Sequence, residues 1–317
     1  MTAALSALAV CGCGTPAHRD STSRTIRVAY LNDINFGDLP SLLAHDRLRA
    51  EGYAVEEIHF SATDLLIEAV AAGTIDVGNA STTAAWTART RGARVTTVME
   101  HTANVYRLVA AAGISTCADL GDRRLAMSEA GIATVLVRRF LAEDCAGAQP
   151  RVSYIQDSQN RVAALIAGGA DAAAVDLSQL LWLDEQAPGR FTVLSNFSER
   201  WPSIKTLGVH VNADFAEGHH DLVEEYVRAR LAANRDMQAD AALVVAEAER
   251  RLGPSPQWPS VARAYIGART WAPDGGLTAD DVARTLEFFA GETLAQASPE
   301  SVADVTFLRS AVGTPRR

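Results

Sequence analysis

The sequence predicts an α/β fold of two doubly wound α/β lobes joined by a two-crossing hinge, with a helical C-terminal extension on lobe one. The main observation is a unit that occurs twice. Residues 65–86 and 162–176 each contain an apolar helical run, then Ala-Gly, then an Asp three residues later in a strand of small residues. The two copies are spaced by about 95 to 97 residues, and such long-period self-similarity indicates a duplicated structural unit.

Composition and charge agree with a soluble globular protein of two domains. The chain has 317 residues, of which 48% are hydrophobic and 21% charged. The formal net charge of −9 argues against nucleic-acid binding, which requires a basic surface. We therefore expect no nucleic-acid partner.

The first lobe starts with the alternating strand 26–31, and Pro40 suits the first turn of the helix after it. Ser61 or Thr63 can cap the next helix, which ends where Gly73 can adopt a left-handed conformation. The patterns predict strands at 26–31, 55–60, 75–78, 94–99 and 104–111, and helices at 40–50, 64–72 and 81–91.

The second lobe repeats this alternation after a crossing near Ala112. It has predicted strands at 124–127, 151–155, 172–175 and 191–194, and helices at 134–143, 160–167 and 178–184. A strand at 206–211 then returns the chain to the first lobe. The resulting domains are 1–24 as a signal remnant and tether, 25–111 plus 204–317 as lobe one with the C-terminal helices, and 112–203 as lobe two.

From residue 217 onward the pattern is helical. Thr278 is the predicted N-cap of one helix, with Asp281 at its third position and apolar residues at helical spacing after it. We expect these helices to cover the first lobe.

The N-terminus resembles the end of a bacterial lipoprotein signal. An apolar run at 3–10 leads to Cys11 and Cys13, and a polar tether follows at 14–24. Cys13 is the best candidate for lipidation and Cys11 the second, although the usual positive n-region is absent. The alternative is an ordinary frayed terminus.

The two remaining cysteines, Cys117 and Cys145, both lie in the second lobe. In an oxidising compartment they could form a disulfide, and the alternative is a pair of buried free thiols. Neither has a partner at metal-ligand spacing, so we expect no metal site.

No motif of a nucleophile, a zinc hydrolase or a phosphate-binding loop is present, and the seven histidines are scattered. A binding protein needs none of these motifs. We therefore expect a protein that is not an enzyme and that has no catalytic residues and no cofactor.

Small polar residues follow the predicted strands, where the ligand crevice of an open α/β sheet lies. The predicted ligand-binding residues are Asn32, Asp33, Phe36, Ala80, Ser81, Thr82, Ser128, Ala130, Gly131, Asp157, Asp176 and Trp201. Several have a simpler interpretation: Ser81, Thr82 and Asp176 as helix caps, Asp33 as a turn residue. Both interpretations remain open from the sequence.

The ligand chemistry is also open. Helix N-termini attract anions, and the small residues Ala80, Ala130 and Gly131 would let a ligand approach them. The carboxylates of Asp33 and Asp176 favour an amine, an amidine or ring N–H groups instead. These features together predict a zwitterionic ligand or a polar heterocycle.

The order of these pieces resembles a known family, the type II periplasmic substrate-binding proteins of ABC importers. The similar branch includes binders of nitrate, taurine, aliphatic sulfonates and thiamine-precursor pyrimidines. The segments that carry the resemblance are the lipobox-like 10–13, strand 26–30, residues 72–81, Asp119-Leu120 and residues 167–172.

The resemblance implies an extracytoplasmic lipoprotein, anchored to the membrane through its lipid, that captures a small polar ligand between two lobes and delivers it to a permease and its ATPase. A monomer is expected. Lyases of a menaquinone route and pyrimidine synthases share this fold, so an enzyme is the alternative. Glu129 departs from the hydroxyl-rich loop of many sulfonate and nitrate binders, which leaves several ligand classes open.

Overall fold

The computed structural model describes residues 24–129, 131–155, 157–290 and 294–313. These residues form two five-stranded sheets with the orders β2-β1-β3-β10-β4 and β7-β6-β8-β5-β9. The strands are β1 (Thr25–Leu31), β2 (Ala54–Phe60), β3 (Val77–Ser81), β4 (Val95–Thr102), β5 (Arg107–Ala111), β6 (Arg124–Met127), β7 (Arg151–Tyr154), β8 (Ala172–Val175), β9 (Phe191–Asn196) and β10 (Leu207–Asn212).

A short 3-10 helix at Phe36–Asp38 precedes the first α-helix. The α-helices are α1 (Leu39–Ala50), α2 (Thr63–Ala71), α3 (Thr82–Thr90), α4 (Cys117–Leu120), α5 (Ile132–Asp144), α6 (Ser158–Ile166), α7 (Leu177–Gln186), α8 (Phe197–Arg200), α9 (Ala213–Gly218), α10 (His220–Ala239), α11 (Ala241–Leu252), α12 (Trp258–Gly267), α13 (Ala279–Phe289), α14 (Pro299–Val302) and α15 (Thr306–Gly313). The predicted α/β fold of two lobes with C-terminal helices is confirmed.

The repeat in the sequence is a repeat in the structure. In the first sheet β1 pairs in parallel with β2 and β3, and in the second β6 pairs in parallel with β7 and β8. The helix before the third strand ends in both copies at a glycine with positive φ, Gly73 at 71° and Gly168 at 69°. A side chain with Cβ is strained in that conformation, so glycine ends each helix.

The Asp that follows each of these glycines also has the same role twice. Asp76 accepts the backbone N–H of Arg27 at 2.7 Å and its Nη2 at 2.9 Å. Asp171 accepts the backbone N–H of Arg124 at 2.8 Å and its Nη2 at 2.9 Å. Each pair ties the start of the third strand to the first strand of its sheet.

The chain crosses from one sheet to the other twice, between β4 and β5 and between β9 and β10. The first crossing lies at residues 103–106, which corrects the predicted crossing near Ala112. β5 pairs antiparallel with β8 and β9 and therefore belongs to the second sheet. β10 inserts antiparallel between β3 and β4, as the predicted return to the first lobe requires.

The C-terminal helices pack mainly on the first sheet's side. α10 lies against α1, and α14 and α15 contact β4. α12 also contacts α7 of the other lobe, where Nε2 of Gln257 donates to the Glu185 carboxylate. The C-terminal extension thus touches both lobes.

Cys117 and Cys145 are joined by a disulfide that ties α4 to the end of α5. Cys11 and Cys13 lie outside the described residues. Across the described ranges, no helix is both long enough and apolar enough to cross a membrane.

Candidate functional site

Most of the predicted site residues that the structure describes lie at or just after the carboxyl ends of the parallel strands. Ala29 is paired with Gly78 and Ala126 with Ala173, so each sheet ends its parallel strands at one edge. Helices α3, α5, α6 and α7 begin directly after those edges. We call these two edges and the loops after them the strand-end site.

Three of the predicted residues have side chains that are buried in the core. Phe36 is 4% exposed and packs on Tyr265, Trp258 and Trp271, with ring centroids 4.7, 5.5 and 6.1 Å away. Ala80 and Thr82 are 2% and 1% exposed. Phe36 and Ala80 pack in the core, whereas the buried hydroxyl of Thr82 has no hydrogen-bond partner among the described residues.

Two further residues after β1 face solvent. Asn32 has a left-handed backbone, with φ at 57°, and its carbonyl accepts a hydrogen bond from His59 Nδ1 at 2.7 Å. Asp33 is exposed beside it. Ser81, across the edge, caps α3 by accepting the Ala84 N–H, and its hydroxyl lies 3.1 Å from that of Thr83. Asn32 and Asp33 are thus open to solvent, and Ser81 is partly exposed.

In the second lobe, the hydroxyls of Ser128 and Thr134 lie 2.9 Å apart at the start of α5. Gly131 is the N-cap of α5, with φ at 108°, and as a glycine it supplies no side-chain acceptor to the first turn. The N-cap residue therefore offers no side-chain acceptor to the first N–H groups of α5, and a helix N-terminus of this kind attracts anions. Ala130 lies outside the described residues, and Glu129 is exposed.

The two aspartates of this edge act as helix caps. Asp157 accepts the Asn160 N–H at 2.8 Å at the start of α6. Asp176 accepts the Gln179 N–H at 2.9 Å and the Ser178 hydroxyl at 2.6 Å at the start of α7. Both carboxylates are thus already engaged locally, and for Asp176 the sequence had offered this interpretation.

Trp201 lies on the second crossing. Its ring is stacked 5.3 Å from that of Phe197 and edge-on at 5.1 Å to that of Phe288 in α13. Trp201 therefore packs the crossing against the C-terminal helices, with only part of its side chain exposed.

Sequence reasoning missed a buried cation at the second edge. Arg161 in α6 is 8% exposed, and its Nη1 donates to the Ile155 carbonyl at 2.8 Å. Burial lowers the pKa of its guanidinium, while Tyr106, Asp157 and Asp176 act in the opposite direction. The four-residue spacing between Asp157 and Arg161 was the available signal, because it places both on one face of a helix.

Tyr106 precedes β5 and lies in the field of the same charges. Burial raises the pKa of its hydroxyl to about 12, assisted by Asp176 and opposed by Arg161. The hydroxyl therefore remains a neutral hydrogen-bond donor at this edge.

Behind the first edge lies a chain of hydrogen bonds. Trp86 Nε1 donates to Thr97 Oγ1 at 2.8 Å, Thr97 Oγ1 lies 2.9 Å from His210 Nδ1, and His210 Nε2 lies 3.2 Å from the Ala80 carbonyl. Burial lowers the pKa of His210 to about 4. The neutral ring thus holds the end of β3 in place.

Chemically, the strand-end site offers hydroxyls, helix N-termini and a buried guanidinium. Such a set can bind a small polar or anionic molecule. In the described part of the chain, no three His, Cys, Asp or Glu side chains come together as metal ligands.

The fold is shared with solved structures of low sequence identity. The ligand-binding component of an ABC-type import system from Staphylococcus aureus superposes with a TM-score of 0.73 at 14% identity, over 90% of this chain and 98% of that one. The aliphatic sulphonate binding protein SsuA from Escherichia coli gives 0.69 at 18%, over 90% and 92%.

The nitrate-binding protein NrtA from Synechocystis gives a TM-score of 0.69 at 13% identity, over 92% of this chain and 89% of that one. A comparison with curated protein sequences finds no match. The sequence model of one family, described as NMT1/THI5 like, matches residues 48–242, more than half of the chain. The chain therefore belongs to the NMT1/THI5-like family.

Proposed function

We propose that the protein is the extracytoplasmic solute-binding component of an ABC importer and not an enzyme. One observation carries the proposal: two sheets of matching topology end their parallel strands in polar loops, and in the described residues two crossings of the backbone join them. Lobes connected in this way can close on a ligand about a hinge. The fold shared with three solute-binding proteins supports the same function.

The second edge favours a ligand with an anionic group. Arg161 and the uncapped N-terminus of α5 supply positive charge there, whereas Asp157 and Asp176 are engaged as caps. A sulfonate, a taurine-like zwitterion or nitrate meets this requirement. An aminopyrimidine would have to use the exposed Asp33 at the first edge.

The same proposal covers the rest of the importer. Lipidation of Cys13 would anchor the monomer outside the cytosol, beside a permease and its ATPase. The disulfide between Cys117 and Cys145 supports an oxidising compartment. Lobe one would comprise the first sheet with the C-terminal helices, and lobe two the second sheet.

Calorimetric titration of the purified chain with taurine, pentanesulfonate, nitrate and an aminopyrimidine tests the proposal. We expect saturable binding of one class, with the ligand recovered unchanged. Arg161→Gln should weaken binding of an anionic ligand at least about tenfold, because a charge-assisted hydrogen bond is lost. Arg151→Gln, at an exposed position of β7, the strand before α6, is the matched control and should bind as the wild type does.

Two results would overturn the proposal. Chemical conversion of a ligand in the calorimeter would favour the enzyme alternative. Failure of every ligand to bind a folded wild-type chain would exclude all of the named classes. Should Arg161→Gln fail to fold, small-angle scattering of the wild type replaces it, and ligand must then reduce the radius of gyration.

A further inference from the structure

A cavity lies at the hinge, beside the second edge of the strand-end site. Arg107 in its wall is paired with Val175 at the end of β8, and Leu177 directly follows Asp176. The volume of the cavity is about 780 Å³, within the range of small-molecule sites. Its walls come from both crossings, from α7, and from the segment around α12 and the start of α13. None of the predicted strand-end residues lines it. We call it the hinge cavity.

The hinge cavity is lined by a buried arginine with no carboxylate partner. Arg107, the first residue of β5, is 7% exposed, and its Nη1 donates to the Val105 carbonyl at 2.7 Å. Within the ranges that the structure covers, its guanidinium makes no ion pair. Burial lowers the pKa of Arg107, and Glu199, Tyr265 and Asp176 only partly oppose this. A buried charge without a partner is costly, so an anion at this position would be stabilising.

The other buried cation of the cavity already has two carboxyl partners. Lys205 on the second crossing is 7% exposed, and its Nζ lies 3.3 Å from Glu100 and 3.7 Å from Asp281. Lys205 is therefore unsuited to anchor a ligand. Arg269 also lines the cavity but is exposed, which leaves Arg107 as the buried anion anchor. Asn104, Asn196 and Ser198 add neutral polar groups to the walls.

The remaining walls favour a ligand that also carries a positive charge. Glu199 and Asp274 are exposed carboxylates on the rim of the hinge cavity, where they would repel a simple anion. Leu177 and Leu180 add apolar side chains to the walls, and these suit a short hydrocarbon chain. The buried arginine, the apolar walls and the exposed carboxylates together describe a site for a zwitterion.

We propose that the hinge cavity is a second small-molecule site, which binds a zwitterion through its carboxylate or sulfonate at Arg107 and its ammonium at Glu199 and Asp274. Because both crossings form its walls, a bound molecule contacts the two segments about which the lobes turn. Occupancy of this site therefore biases the relative placement of the lobes.

Three probes that differ only in charge test the site on the full chain by calorimetry. We expect 5-aminopentanoate to bind more tightly than pentanoate, and pentylamine to bind least. Arg107→Gln should weaken 5-aminopentanoate at least about tenfold, since it removes a charge-assisted bond. Arg151→Gln, at an exposed position of β7 outside the hinge cavity, is the matched control and should leave this affinity unchanged.

Unchanged binding by a folded Arg107→Gln variant would overturn the proposal, as would no binding of 5-aminopentanoate to the wild type. Hydrogen exchange on the wild type covers the case of a variant that does not fold. Added 5-aminopentanoate must then protect the amides of residues 103–107 and 197–205. Protection confined to residues 128–131 and 157–161 would contradict the proposal. The inference is independent of the proposed function, because a chain that binds 5-aminopentanoate but no importer ligand retains the hinge site.

Discussion

The guanidinium of Arg27 and the carboxylate of Asp76 form a two-point pair, with Nη2 at 2.9 Å from one oxygen and Nε at 3.3 Å from the other. The backbone N–H of Arg27 donates to the same carboxylate. Arg124 and Asp171 reproduce all three bonds in the second sheet. Planar, two-point ion pairs of this kind fix geometry as well as charge. The same ion pair therefore links β1 to the start of β3 in one sheet and β6 to the start of β8 in the other.

Replacement of Asp76 by Ala tests how much the ion pair with Arg27 stabilises the fold. Asp76 is 1% exposed, and its loss would leave Arg27 without its carboxylate. We expect the free energy of unfolding to fall by about 2 to 4 kcal/mol, measured by urea denaturation. Asp122→Ala is the control, because Asp122 is exposed and lies 3.8 Å from Arg151; a similar loss in both variants would contradict the prediction.

Glu100 makes stability depend on pH. Burial raises its pKa from 4.5 to about 7, although Lys205 opposes the shift. Between pH 4.5 and 7 the native state therefore binds more protons than the unfolded state. The stabilisation that Glu100 gives at low pH is lost as the pH rises from 4.5 to 7. Relative to Glu100→Gln, the wild type should lose about 2 to 3 kcal/mol over this window in urea titrations. A constant difference would refute the assignment, and Glu56→Gln provides the exposed control.

His210 should stay neutral well below the usual range. Its pKa is lowered to about 4 by burial, and an unfolded histidine titrates near 6.5, so stability from this group is lost as the pH falls from 6.5 to 4. NMR of the ring nitrogens at pH 5.5 should show the neutral form with hydrogen on Nε2, facing the Ala80 carbonyl. The His210 signal is identified by its absence from the spectrum of His210→Gln. A titration midpoint near 6.5 for that signal would contradict the lowered pKa.

The disulfide should contribute strongly to stability. It closes a loop with a sequence separation of 28 between Cys117 and Cys145. Loops of this size typically give about 2 to 4 kcal/mol. The Cys117→Ala and Cys145→Ala double variant should unfold at a correspondingly lower urea concentration, and adding reductant should shift the wild type but not the variant. Equal stability of both proteins would show that the bond contributes nothing.

The duplicated part of the fold could be predicted because its signals are local. The helix ends at Gly73 and Gly168 and the strands of small residues are visible in the sequence, and the strands predicted at 124–127 and 172–175 agree with β6 and β8. The sheet to which β5 belongs could not be predicted. Its partners β8 and β9 lie more than sixty residues away along the chain. The sequence of an apolar strand does not indicate which strands it pairs with.

The candidate site was predictable only in outline. The loops follow from strand ends, but burial of Phe36 depends on Tyr265 and Trp271, which come from distant helices. Arg107 and Arg161 were overlooked because a charged residue in a strand or helix is exposed by default. Their burial results from tertiary packing, which a single sequence does not display.

The late arrival of β10 has a consequence for synthesis on the ribosome. β4 pairs only with β10 among the strands of the first sheet, so that sheet stays incomplete until residue 212 has been made. The second sheet uses only residues 107–196 and is contiguous. The lobe encoded in the middle of the chain can therefore mature first, while the amino-terminal strands wait for a segment translated more than a hundred residues later.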